Sequence, residues 1–216
     1  MILVVGLGNY DSCYRNTRHN IGHLFFEWER EKSNAGINIV RDDSVVPIKE
    51  TANEFTQKFM GKCDGNTDNV AAEYFEKNYK KIQAVFARPM TGMNESGVGT
   101  KILYNSLKEK YDLENILAVV DELDIPFPRI RIGKMKRLTH KGAASMNEHI
   151  PGVSFIRVGI GKPTVGKTLD HVLGNFERWE TEKLPGVFEA IDNIIQTVAV
   201  YGLEKASSLY NSRNSK

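Results

Sequence analysis

The sequence predicts an α/β fold: one domain with a mostly parallel mixed, twisted sheet flanked by helices, and a long C-terminal helix. Three observations predict it. Short all-apolar runs recur along the chain, as expected of strands buried on both faces. Helix-period stretches separate them, and strand–helix alternation favours a parallel sheet. The length, 216 residues, is enough for one core and short for two.

Taken in order, Ile2–Val5 is the first such run and ends at Gly6. Ile21, Leu24, Phe25 and Trp28 then fall at i, i+3, i+4, i+7, the spacing of one helix face. Residues 42–78 are polar and weakly periodic, and read as an insertion with one or two short elements. Ala84–Ala87 is the second buried run. Ile102, Leu103, Leu107 and Tyr111 give the next helix, Ile116–Val120 the third run and Ile156–Ile160 the fourth. Val187, Ile191, Ile194, Ile195, Val198 and Tyr201 draw the apolar stripe of the terminal helix.

Composition narrows the function classes. A hydrophobic fraction of 41% and a charged fraction of 26% describe an ordinary globular chain of net charge +2. No apolar run approaches the roughly 20 residues of a membrane span. Two cysteines, Cys13 and Cys63, are too few for a disulfide scaffold and lack metal-ligand spacing, so a reduced compartment is the default. The start, MILVVGLGN, reads as strand and turn already, so neither a signal peptide nor an Arg-rich presequence is expected, a processed precursor being the alternative. The local basic run GKMKR at 133–137 is either a solvated loop or the footprint of an anionic ligand.

Four segments carry candidate chemistry. Gly6-Leu7-Gly8-Asn9 follows the first strand, but the third glycine of a dinucleotide fingerprint is missing and no helix signal follows. Ligands of open α/β sheets sit at the carboxyl ends of strands, where Asn9 offers an amide that both donates and accepts. It reads equally as a turn residue bonding its own backbone. His19, in Tyr14-Arg-Asn-Thr-Arg-His-Asn-Ile-Gly22, is a general-base candidate if a carboxylate accompanies it. In isolation it reads as an ordinary surface or satisfied histidine. Asp121 supplies that carboxylate at the end of Ile116–Val120, or else caps a turn before Pro126. A carboxylate–histidine pair without a serine is the orienting half of a triad. Arg88-Pro-Met-Thr-Gly-Met-Asn94 ends the list, with Asn94 a second rim amide and Met93 either core filler or a soft contact.

GLGN, Tyr14 with TRHN, RPMTGMNESG and DELD occur in this order, each tied to a strand, and FIRVGIGKP and VLGNF follow. Together they resemble the bacterial-type peptidyl-tRNA hydrolases, over about residues 1–32 and 82–205. The resemblance implies hydrolysis of the ester joining a peptide to tRNA, without metal or cofactor. It implies His19 as the base that activates water, Asp121 as its orienting carboxylate, and Asn9 and Asn94 as holders of the peptide backbone and water. Tyr14 and Met93 would line the cleft near the terminal adenosine. Arg157 would clamp tRNA phosphate, with Arg129, Arg131 and Lys134 on the same basic face. Peptidyl-tRNA is the expected partner, with no membrane, a monomeric state, and a cytoplasmic or mitochondrial location.

Two departures stand out. Tyr10 and Asp11 replace the Pro-Gly of the usual GNPG turn, a change expected to alter loop shape only. Where the family carries His-Asn-Gly, this chain has His140-Lys141-Gly142. His140 and Lys141 are therefore expected on the substrate, but a lysine cannot accept a hydrogen bond from an attacking water. Asn147 is a weak substitute for the missing amide. A catalytically impaired relative kept for tRNA binding is thus the alternative to an active hydrolase.

Overall fold

Alternation along three apolar strands decides the architecture. In β1 (Ile2–Gly6), Ile2 and Val4 join one apolar layer while Leu3 and Val5 join another. In β4 (Ile82–Pro89), Ala84 and Phe86 separate from Val85 and Ala87 in the same way. In β5 (Asn115–Glu122), Leu117 and Val119 oppose Ala118 and Val120. Successive side chains of a strand point to opposite faces, so strands apolar at both parities must be covered on both faces. Helix α1 (Ile21–Ser33) and the long α6 (Leu184–Arg213) cover one face; α2 (Ser96–Leu107) and α3 (Lys141–His149) cover the other. Two short helices, α4 (Thr168–Val172) and α5 (Arg178–Thr181), precede α6.

The chain is known here from a computed structural model that describes residues 1–45, 69–79, 82–135 and 137–213. With β2 (Asn38–Arg41), β3 (Val70–Tyr79), β6 (Ile130–Gly133) and β7 (Ser154–Gly159), the sheet order is β2-β3-β4-β1-β5-β7-β6. The four central strands are parallel, whereas β2, β3 and β6 pair antiparallel at the two edges. β1 therefore lies between β4 and β5, and the carboxyl ends of these three strands form one rim.

Several expectations change. The polar insertion read over 42–78 overlaps β3, whose Val70, Ala71, Ala72 and Phe75 are buried, so its last residues belong to the sheet. Its remainder at 46–68 lies outside the described residues. α2 stops at Leu107, and Tyr111 instead reaches the Glu76 carboxylate with its hydroxyl. α6 is interrupted at Gly202, where φ is 82°, and Tyr201 before it is exposed rather than part of the stripe. Cys13 is disulfide-bonded, against the expected reduced thiol; its partner lies outside the described residues. No helix among the described residues is long and apolar enough to cross a membrane.

Candidate active site

The rim is built by close backbone approach. A Cβ on Gly22 would lie 2.2 Å from the Leu7 amide nitrogen, and one on Gly6 would lie 2.1 Å from the Gly22 carbonyl oxygen. Only glycine at both places lets the start of α1 pack onto the end of β1, which is why the two glycines and the intervening segment work together. Asn20 completes the junction. Its Oδ1 accepts from the Asn9 amide at 2.8 Å and its Nδ2 donates to the Asn9 carbonyl at 2.8 Å. Asp11 caps the 3-10 turn Ser12–Tyr14 by accepting from the Cys13 amide at 3.0 Å, so Tyr10-Asp11 provides a local turn in place of Pro-Gly.

His19 sits in the 3-10 turn Arg18–Asn20, and the neighbouring Arg18 anchors that turn. The buried Arg18 guanidinium donates to both Glu180 oxygens, at 2.6 and 3.2 Å, and to the carbonyls of His171 and Gly174 at 3.2 and 3.5 Å. A guanidinium matched bidentately to a carboxylate fixes direction as well as distance. The C-terminal segment thereby holds the turn that carries His19.

His19 Nδ1 lies 2.9 Å from Asp121 Oδ1, and His140 Nε2 lies 2.9 Å from the same oxygen. The imidazole rings are 4.8 Å apart at 46°. Burial alone would push the Asp121 carboxyl up, but the two histidines more than offset it and hold the group well below the usual carboxylate range. An ionised carboxylate only accepts, so both ring nitrogens facing it donate. That leaves His19 Nε2 as the nitrogen with a lone pair. The ligating atoms of His19, Asp121 and His140 lie within 4.8 Å of one another, close enough for a metal ion. An ion there would displace both hydrogen bonds to Asp121, and the three groups fit proton sharing better.

The remaining sequence candidates fall into three groups. Asn9 is half-buried beside this centre and accepts from the Met93 amide at 3.2 Å through Oδ1; its Nδ2 makes no protein hydrogen bond among the described residues. Met93 is buried with its sulfur close to Gly142, where an added Cβ would lie 2.5 Å away, while Asn94 is exposed in the turn Met93–Glu95. Tyr14 is half-buried, and its carbonyl accepts from Thr17 Oγ1 at 2.8 Å. Lys141 is exposed at the first position of α3, and Asn147 is exposed towards the other end of that helix.

On β6 and β7, Arg131 and Arg157 are directly paired across the strands. Like charges opposite one another are destabilising, and the only carboxylate that meets Arg157 among the described residues is Glu122, at 3.9 Å. Burial lowers the Arg157 guanidinium from its ordinary value; Glu122 opposes this and Arg131 adds to it. Its Nε is buried without a partner among the described residues.

Two placements depart from the sequence reading. Lys134, expected on the basic face, turns its ammonium onto the carbonyls of Gly152 and Val153, the latter at 2.8 Å. His140, expected on the substrate, has both ring nitrogens engaged within the protein: Nε2 by Asp121 and Nδ1 by the Ala143 amide at 3.1 Å. Asn20, Arg18 and Glu180 were not singled out by sequence reasoning. Only the first two lie in a recognisable motif, and nothing local marks Glu180.

A cavity of about 480 Å³ opens beside this centre, lined by Tyr10, Ser12, Arg15, Asn16 and His23 among others. It shares Asn9 and Asn20 with the histidine cluster but does not reach His19. This hollow is therefore distinct from the hydrogen-bonded cluster around Asp121.

A family model described as peptidyl-tRNA hydrolase matches residues 3–216. The chain is 30% identical over 217 residues to a peptidyl-tRNA hydrolase of Geotalea daltonii, covering 98% of this chain and 97% of the relative. A peptidyl-tRNA hydrolase of Aliarcobacter butzleri is 31% identical, covering 97% and 98%. Among solved structures, a peptidyl-tRNA hydrolase from Acinetobacter baumannii aligns over 100% of this chain and 95% of that one, with a TM-score of 0.67 and 28% identity.

Proposed function

The chain belongs to the peptidyl-tRNA hydrolase family, and from that premise we propose how its rim residues carry out the reaction. The activity is hydrolysis of the ester bond between the peptide and the tRNA. The observation that supports the proposed roles most strongly is the His19–Asp121 hydrogen bond at the end of β5.

His19 Nε2 takes a proton from water as the water oxygen attacks the ester carbonyl carbon. The imidazolium so formed is stabilised by Asp121, whose carboxylate stays ionised and keeps Nδ1 protonated throughout. Negative charge gathers on the former carbonyl oxygen, where Asn9 Nδ2 is a preorganised donor; an amide so placed acts on charge that exists only in the transition state. Asn94 on the facing turn holds the peptide backbone. When the intermediate collapses, the bond to the ribose oxygen breaks and His19 returns the proton to that oxygen, giving a free peptide acid and tRNA. No bond to the protein is formed.

Tyr14 and Met93 line the cleft towards the terminal nucleotide. Arg157 and Arg131 bind tRNA phosphates, which answers their like-charge pairing. Lys141, a donor without acceptor capacity, adds a phosphate contact and does not hold the attacking water. Lys134 has two of its three hydrogens on backbone carbonyls and contributes charge more than contact. We place the enzyme in the cytoplasm or a mitochondrion as a monomer.

The deciding experiment is release of the acyl group from an N-blocked aminoacyl-tRNA by wild type and by His19→Ala. The expected result is turnover by wild type and a loss of about 10²–10⁴-fold in kcat for the variant. Wild-type binding of tRNA without acyl release would make the chain an RNA binder instead.

A further inference from the structure

We propose that His140 is a positioning residue: held neutral with its proton on Nε2 by the Ala143 amide, it donates to Asp121 and limits how strongly that carboxylate stabilises a proton on His19. The inference rests on His19 being the base.

The argument starts from α3. His140 is the N-cap of this helix, and its side chain accepts the otherwise orphaned Ala143 N–H at 3.1 Å. A ring nitrogen that accepts a hydrogen bond carries no hydrogen, so Nδ1 is bare and the ring's proton is on Nε2. Nε2 lies 2.9 Å from Asp121 Oδ1, the oxygen that His19 also uses. The helix terminus thus chooses the tautomer, and the tautomer directs a neutral donor at the carboxylate. Burial lowers the His140 imidazole and Asp121 raises it, with a net upward direction. Protonating Nδ1, however, would set its hydrogen against that of Ala143, so the packed geometry favours the neutral ring.

The groups around the cluster do not supply an alternative. On the turn that carries His19, Arg18 is occupied by Glu180. On β5, Glu122 accepts from the Asp124 amide and lies near Arg157. On α3, Lys141 is exposed, and on the turn Met93–Glu95 the only acid, Glu95, is exposed as well. His140 is therefore the group that shares Asp121 with His19.

A carboxylate that receives a second donor has less charge to offer the first. Removing the His140 donor should therefore make protonated His19 persist to higher pH, where it cannot act as a base. His140→Asn separates this role from capping: asparagine is a favoured N-cap but too short to reach Asp121 while capping.

The test is the pH dependence of kcat/KM on N-blocked aminoacyl-tRNA. In His140→Asn the acid limb should move up by about half a pH unit or more, with plateau kcat reduced about tenfold or less. An acid limb that stays in place overturns the proposal and leaves His19 as the base. A wild-type profile with no acid limb overturns that reading and this one together. Long-range proton–nitrogen spectra of the wild-type protein give a second readout that needs no variant. A bare Nδ1 and protonated Nε2 on His140 at neutral pH support the proposal; two protonated nitrogens overturn it.

Discussion

Replacing Glu180 by alanine tests the claim that the C-terminal segment holds the turn that carries His19. Arg18 and Glu180 side chains are 6% and 3% exposed, so the substitution strands a guanidinium where water barely reaches. Removing one partner of a buried pair costs about 3–5 kcal/mol. Two effects act on that range here. Arg18 keeps its bonds to the His171 and Gly174 carbonyls, which soften the loss, while the α5 capping bond from the Glu177 amide to Glu180 Oε2, at 2.7 Å, is lost as well. For a chain of this size each kcal/mol lowers Tm by roughly 2–4 °C, so Glu180→Ala should melt roughly 6–20 °C below wild type. The double variant Arg18→Met/Glu180→Leu removes the stranded charge and should recover more than half of that loss. Calorimetry gives the melting temperatures, and acyl release below the transition gives kcat/KM, which should fall because His19 adjoins Arg18. A Glu180→Ala protein melting within about 2 °C of wild type, with unchanged kcat/KM, would refute the reasoning.

Two further outcomes follow from other parts of the molecule. Burial first, and the Arg88 charge second, push the His23 imidazole down from 6.5 to about 3. The folded protein then binds fewer protons than the unfolded chain, so stability is full above the unfolded value and falls as pH drops towards the folded one. The slope is up to about 1.4 kcal/mol per pH unit; denaturant titrations at pH 7.5 and 5.5 should show it, and His23→Gln should flatten it. An equal acid loss in the variant would place the sensitivity elsewhere. On the basic edge, Arg131→Gln should reduce the slope of log affinity for tRNA against log salt by about 0.7–0.9, and an unaltered slope would take Arg131 out of the interface.

Much of the fold was legible because its signal is local. The central strands β1, β4 and β5 place apolar side chains at both parities, and that pattern alone demands cover on both faces. The edges were harder. Val70–Tyr79 mixes buried Val70, Ala72 and Phe75 with half-buried Glu73, Glu76 and Lys77, the pattern of a strand only partly covered, and it follows a long polar stretch. Tyr201 fits the helical stripe by spacing, yet Gly202 breaks the helix beside it, and spacing does not register a single backbone angle. At the site, strand ends placed Asn9 and Asp121 on one rim. The Asp121–His140 bond instead joins positions 19 residues apart through a helix cap, and Arg18–Glu180 spans 162. Pairings of that kind depend on tertiary geometry, to which local periodicity is blind.

Lys141 is where these two kinds of information meet. A cation in the first turn of a helix opposes the macrodipole, at a cost of about 0.3–1 kcal/mol, and α3 has no acidic residue in that turn to compensate. The helix start is secured from elsewhere: His140 caps it, and Gly142 admits the Met93 sulfur. Because those contacts do not involve the Lys141 side chain, the position is free to vary without unfolding the centre. Folding therefore gives no reason for a lysine at this place, whereas the proposed phosphate contact would. The same independence explains how a chain can lose the usual asparagine and still keep His19, Asp121 and His140 in one hydrogen-bonded cluster. Under the proposed roles, what the substitution alters is the means of holding substrate, and the His19–Asp121–His140 hydrogen bonds are left in place.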